Sequence, residues 1–94
     1  MVVNCQIVEK ELIEKLNFPN KEVLSTRDDI RKRYSSLRRA LYLGNLERTK
    51  IKILFEDDKA LKCVFTTIWG LTDQRVILKK GVVLPTNRIH FVSE

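Results

Sequence analysis

The candidate nucleophiles and general acids or bases of this sequence are scattered along it. They are Cys5, Asp57, Asp58, Cys63, Asp73 and His90. Acid–base or nucleophilic catalysis needs a nucleophile, a base and an orienting group that converge. Asp57 and Asp58 fall in a predicted hairpin turn, where aspartate is favoured for turn formation alone. The sequence therefore predicts no catalytic residue and a protein that is not an enzyme.

Metal and cofactor sites are not predicted either. Cys5 and Cys63 form neither a CxxC pair nor a disulfide framework, and Cys63 is interpreted as a small buried hydrophobe. With His90 as the single histidine, a tetrahedral zinc site would need carboxylates or a second chain. The three glycines are too widely separated to form a phosphate-binding loop. We expect no cofactor.

Positive charge is the feature that suggests a partner. The formal net charge is +6, and residues 27–43 hold six Arg or Lys against two Asp. Enough cations are present to contact several phosphates, and an exposed aromatic side chain could stack on a base. The predicted nucleic-acid-binding residues are Arg27, Arg31, Arg38, Arg39, Tyr42, Lys50 and Lys52. The preferred partner is RNA or another polyanion, while the simpler alternative is that these cations only keep a small domain soluble.

A protein-interaction module is the other functional hypothesis. Tyr42, Leu43 and Leu46 lie off the main apolar stripe of the predicted helix, and a short last strand leaves a sheet edge that another chain could extend. Homo-oligomerisation through that strand is one form of this hypothesis. No stretch approaches the roughly 20 apolar residues of a membrane span, and no export signal is evident. The expected location is the cytoplasm, with no membrane partner.

The elements that position these side chains begin with a helix over residues 26–44. Thr26 can cap it, Ile30, Tyr34, Leu37 and Leu41 form an apolar stripe, and Gly44 or Asn45 can supply a left-handed last residue. The preceding segment is ambiguous: residues 8–16 have helical spacing, and residues 2–7 could instead form a short strand.

The second half of the chain alternates in the manner of β-strands. Ile51, Ile53 and Phe55 alternate with residues on a lysine-bearing outer face, and a polar turn at 56–59 predicts a hairpin with the central strand, 60–71. Trp69, Phe55 and Phe65 look like core residues, and Gly70 marks a bulge or bend. Further strands are predicted over 75–80, 82–84 and 87–92.

Together these elements predict one α+β domain spanning residues 1–94. It comprises an N-terminal accessory segment (1–25), a basic helix (26–44) and an antiparallel β-meander (48–92). The predicted fold is an N-terminal helix or helices followed by a four- to five-stranded, strongly bent antiparallel sheet.

This order resembles the Sm-like (Sm/SH3-like) small-barrel superfamily. Residues 73–80 (DQRVILKK) are similar to the turn and third strand of the bacterial RNA chaperone Hfq, and residues 36–39 (SLRR) are similar to its arginine-bearing helix. Arg75 stands where Hfq has a base-stacking aromatic, and residues 85–88 (PTNR) replace its Tyr-Lys-His signature. The resemblance therefore implies binding roles for Asp73 and Gln74 alone. Residues 66–92 also resemble small uncharacterised bacterial proteins, which imply no activity.

Overall fold

The computed structural model describes residues 5–93, and a single α-helix and seven β-strands are found in that range. The helix, α1, spans Arg27–Glu47. The strands are β1 (Gln6–Ile7), β2 (Ile51–Glu56), β3 (Leu61–Thr66), β4 (Ile68–Leu71), β5 (Arg75–Leu78), β6 (Val83–Pro85) and β7 (Ile89–Ser93). Short 3-10 segments occupy Lys10–Lys15, Lys79–Gly81 and Thr86–Arg88.

The predicted fold class is wrong in its arrangement. The helix lies in the middle of the chain, after a strand and a 3-10 segment, and the strands form two open sheets instead of one barrel-like meander. One sheet has the order β1-β3-β2-β7 and the other has the order β4-β5-β6. The strand β1 pairs in parallel with β3, whereas the remaining pairs are antiparallel. The sequence allowed a short strand here but could not reveal its parallel pairing with β3, because two residues are too few to show a period-2 pattern.

The opening segment contains both elements that the sequence left open, each shorter than expected. The predicted strand over 2–7 is realised as β1, with residues 1–4 outside the described part of the chain. The predicted helix over 8–16 is a 3-10 segment, Lys10–Lys15, which buries Ile13.

Helix α1 starts where the sequence predicted and ends later. The Thr26 hydroxyl accepts a hydrogen bond from the Asp29 backbone N–H at 3.1 Å, which confirms the predicted cap. The predicted left-handed end at Gly44 or Asn45 is wrong, because Arg48 adopts that conformation with φ 54°. Gly44 instead lies inside the helix and is buried against β4. A Cβ there would come within 2.9 Å of the Ile68 carbonyl oxygen and of Thr67 Cγ2, so the glycine permits close packing.

The predicted central strand over 60–71 divides at Thr67, so that β3 and β4 belong to different sheets. The predicted β2–β3 hairpin is confirmed, with Ile51 opposite Thr66. The predicted irregularity near Gly70 is also confirmed, because the register between β4 and β5 shifts between Ile68 and Gly70. Trp69 occupies that shift.

The core lies between the two sheets and α1. Ile51, Ile53 and Phe55 are at most 1% exposed, as predicted. The buried face of α1 is formed by Arg33, Leu37, Ala40 and Gly44. Tyr34, predicted in the apolar stripe, is 41% exposed, because the buried face is rotated from the predicted one toward Arg33.

Helix α1 packs against both β4 and β7 and so touches both sheets. Along β7, Arg33 Nη1 donates a hydrogen bond to the Ile89 carbonyl oxygen at 3.0 Å. Strand β7 is an edge strand of the first sheet, and α1 packs against it. No helix in residues 5–93 combines the length and hydrophobicity needed to cross a bilayer.

Candidate nucleic-acid interface

A cleft of about 540 Å³ opens where the end of α1 meets the start of β4, and we call it the Trp69 cleft. Its two buried lining residues are Gly44 and Thr67, and its exposed lining residues are Asn45, Arg48, Lys50, Trp69 and Lys79. No lining residue carries a carboxylate, whereas three carry positive charge. The cleft therefore offers an aromatic surface and cations together.

The cleft residues are positioned by local irregularities of the backbone. Trp69 lies at the β4–β5 register shift, and its side chain is 53% exposed. Arg48 is the left-handed residue that ends α1, and its N–H donates to the Gly44 carbonyl at 3.0 Å. Lys79 is held beside the cleft by a hydrogen bond from its backbone N–H to the Thr67 carbonyl, at 2.9 Å.

A second basic feature runs along the exposed side of α1. Arg27, Arg31, Arg38 and Tyr42 are spaced by four, seven and four residues, so they lie on one side of the helix over about 22 Å. All four are exposed, Tyr42 by 64%. None of the three arginines forms an ion pair with a residue in the range 5–93. We call this set the α1 stripe.

The α1 stripe and the Trp69 cleft are adjacent. Asn45, which lines the cleft, follows Tyr42 by three residues and Arg38 by seven, so all three share a helix side. A flexible polyanion that follows the stripe toward the C-terminal end of α1 would arrive at Trp69.

The sequence-predicted site residues are not all brought to one place. Lys50 lines the Trp69 cleft, while Arg31 and Arg39 line two other depressions, the second beside Val92 and Ser93. Lys52 is half-buried in β2, opposite Phe65 of β3. The predicted set therefore mixes one cleft residue with residues of the helix surface and the sheet.

The prediction that Trp69 and Phe65 belong to the core is wrong. Trp69 is 53% and Phe65 52% exposed, whereas Phe55 is fully buried as predicted. Alternation could not separate them, because both faces of the 60–71 run carry apolar residues. Arg48 was missed as well, since a basic residue gives no sequence signal of a left-handed helix end.

Arg88 contributes to the net positive charge of the sequence, but its side chain is buried in the structure. It is 5% exposed and donates to the carbonyl oxygens of Glu56, Lys21 and Asp57 at 2.7–3.2 Å. Its role is to fasten the segment before α1 to the β2–β3 turn.

In the acidic turn after β2, Asp57 forms a buried ion pair with Lys62 of β3. Lys62 Nζ lies 2.7 Å from Asp57 Oδ2, and both side chains are less than a tenth exposed. Burial alone would raise the pKa of Asp57, but hydrogen bonds from Lys62 and from the N–H groups of Ala60 and Lys59 outweigh it and lower the pKa to about 2. His90 Nε2 lies 2.9 Å from Glu56 Oε1. No group of three or more metal-ligating side chains converges within residues 5–93.

Asp73 and Gln74, to which the resemblance assigned binding roles, are exposed between β4 and β5 and do not line the Trp69 cleft. No protein-family model, no curated protein and no solved structure matches the chain. Function is therefore inferred from the geometry of the residues themselves.

Proposed function

We propose that this protein binds single-stranded nucleic acid without catalysing a reaction, and that RNA is its preferred partner. The observation that carries the proposal is Trp69, a half-exposed indole in a cleft with Arg48, Lys50 and Lys79 and without a lining carboxylate. Proteins that bind single strands combine a cationic groove with aromatic side chains on which bases stack.

Each part of the surface has a distinct energetic role. Stacking of one base on an aromatic side chain contributes about 1–3 kcal/mol, and it requires a base that is not already stacked in a duplex. The three cleft cations and the three arginines of the α1 stripe then bind phosphates on either side of that base. Preference for single strands over duplex follows from the indole, and salt sensitivity follows from the cations.

The choice of RNA over DNA is a separate part of the proposal, with its own test. A protein distinguishes the two through the ribose 2′-hydroxyl. Competition between RNA and DNA strands of the same sequence measures this preference independently of binding itself.

Tryptophan fluorescence tests the proposal directly, because Trp69 is the only tryptophan in the chain. Titration with a single-stranded RNA oligonucleotide is expected to quench the emission, and the same sequence as a duplex is expected to quench it far less. Absence of quenching and of RNA retention at about 50 mM salt, where phosphate contacts are strong, would contradict the proposal.

Substitutions at Trp69 and Phe65 test whether RNA affinity depends on base stacking in the cleft or on any exposed aromatic side chain. Trp69→Ala is expected to weaken RNA binding by about tenfold or more, while Trp69→Phe retains most of the affinity. Phe65→Ala is the matched control, since Phe65 is equally exposed but lies outside the cleft. Equal losses for Trp69→Ala and Phe65→Ala would show that the cleft is not the binding site.

A protein-binding regulatory module with no nucleic-acid ligand is the alternative function. The observation that favours it is the exposure of Ile7, Phe65 and Phe91, at 69%, 52% and 43%. Phe65 lies opposite Lys52 of β2, and Phe91 lies opposite Leu54 of β2. These residues share the outer side of the first sheet. The alternative predicts that Phe65→Asp abolishes partner binding and that Trp69→Ala leaves it intact.

A further inference from the structure

The two cysteines of the chain, 58 residues apart in sequence, are neighbours in space. The Cys5 thiol donates a hydrogen bond to Cys63 Sγ, and the two sulfur atoms are 3.0 Å apart. Both are free thiols in this structure. Since a disulfide bond is about 2.05 Å long, the sulfur atoms need to approach by only about 1 Å to be joined.

Main-chain pairing next to Cys5 brings its segment alongside Cys63. Ile7 of β1 lies opposite Cys63 of β3, and the Val8 N–H donates to the Cys63 carbonyl at 2.9 Å. The contact between the sulfur atoms is therefore supported by main-chain pairing immediately beside it. The chain contains no third cysteine that could compete for either thiol.

The two thiols differ in their surroundings. Cys63 is 1% exposed, whereas Cys5 is partly exposed to solvent. Burial, followed by the contact with Cys5, raises the pKa of the Cys63 thiol to about 11. A dissolved oxidant thus reaches Cys5 first, and Cys63 is positioned to react with the oxidised sulfur.

We propose that Cys5 and Cys63 form a peroxide-oxidisable pair whose disulfide fastens β1 to β3. This inference is independent of the proposed nucleic-acid binding. It assigns a chemical role to a contact that the composition of the sequence did not predict.

The reaction balances with hydrogen peroxide as the oxidant. The Cys5 sulfur attacks one peroxide oxygen and gives up its thiol proton, the O–O bond breaks, and Cys5 becomes a sulfenic acid while the released hydroxide takes up that proton and leaves as water. Cys63 Sγ then attacks the Cys5 sulfur, the S–O bond breaks, and the leaving hydroxide takes the Cys63 proton as a second water. Two thiols lose two electrons and peroxide gains them.

Mass spectrometry of the folded full chain tests the proposal. Treatment with hydrogen peroxide is expected to remove two hydrogens from the monomer, to link peptides containing Cys5 and Cys63, and to be reversed by a dithiol reductant. The oxidised chain is expected to melt several degrees higher, because the bond closes a long loop. The Cys5→Ser variant is expected to show neither change.

Three results would overturn the proposal. One is further oxidation of Cys5 to sulfinic or sulfonic acid while Cys63 stays a free thiol. Another is a disulfide that links two chains through Cys5. The third is an unreactive folded chain whose thiols oxidise normally in urea.

Discussion

Arg33 holds both carboxylate oxygens of Glu22, with its Nη2 2.6 Å from Oε1 and its Nη1 2.7 Å from Oε2. Arg33 is 7% exposed and lies on the buried face of α1. The pair fixes the segment before α1 onto the helix. This two-point geometry is specific to arginine.

Replacement of Arg33 therefore tests how much this contact stabilises the fold. Arg33→Met is expected to lower the free energy of unfolding by about 3 kcal/mol, because the Glu22 charge and the Ile89 carbonyl lose their donor. Urea denaturation measures the change. The neighbouring Lys32→Met, at an exposed position, is the control and is expected to stay within about 0.5 kcal/mol. Equal effects of the two substitutions would contradict the assigned role.

Acid is expected to weaken the fold through Asp57. Its pKa is about 2 in the folded protein, against an ordinary value of 3.8 for an aspartate side chain. The carboxylate therefore stabilises the fold above about pH 4, and this stabilisation is lost as the pH falls to about 2. The difference corresponds to about 2 kcal/mol. The pKa of Glu22 is also lowered: burial raises it, but hydrogen bonds from Arg33 outweigh that effect. Its contribution therefore has the same sign.

Urea denaturation between pH 2 and pH 5 checks this dependence. Asp57→Asn is expected to be less stable at pH 5 and to show a shallower loss on acidification. Asp58→Asn, in the same turn but exposed, is expected to behave like the parent. A parental acid profile in Asp57→Asn would show that Asp57 is not the group responsible.

Replacement of Gly44 by alanine is expected to destabilise the fold, although the change adds only a methyl group. Alanine is favoured over glycine in a helix by about 1 kcal/mol, but its Cβ would lie 2.9 Å from the Ile68 carbonyl oxygen, which is main chain and yields little. Overpacking of this kind costs about 1–3 kcal/mol, so Gly44→Ala is expected to lower the melting temperature. Asn45→Ala, one residue on and exposed, is the control. A raised melting temperature for Gly44→Ala would contradict the close packing.

Charge reversal on the α1 stripe tests whether phosphates bind there. Arg31→Glu combined with Arg38→Glu is expected to abolish RNA retention while the circular dichroism spectrum stays unchanged, because both side chains point to solvent. Arg31→Ala with Arg38→Ala is expected to reduce the salt slope by about 0.7 for each lost phosphate contact. Lys15→Glu with Lys59→Glu makes the same charge change as the reversal at exposed positions outside the site. If this pair weakened binding equally, net charge alone would account for the affinity.

The sequence predicted those features that depend on local patterns. The cap at Thr26, the β2–β3 hairpin and the burial of Phe55 each follow from neighbouring residues. The exposure of Trp69 was not predicted, because both faces of the 60–71 run carry apolar residues and the local pattern does not show which face is covered.

Long-range contacts account for the other differences. Arg88 and Arg33 look like solvent-facing cations in the sequence and become buried donors, because carbonyl or carboxylate acceptors from distant segments surround them. Gly44 has the sequence signature of a helix end, but it is needed where α1 approaches the main chain of β4.

The packing of α1 against β4 and β7 affects how the chain folds during synthesis on the ribosome. The helix ends at Glu47, but one of the two strands that pack against it, β7, begins only at Ile89. At about 5–20 residues per second, translation of the intervening segment takes a few seconds. During that time Leu37 and Ala40, which are buried in the folded protein, remain partly exposed to solvent. Chaperones are expected to bind the nascent chain in this interval.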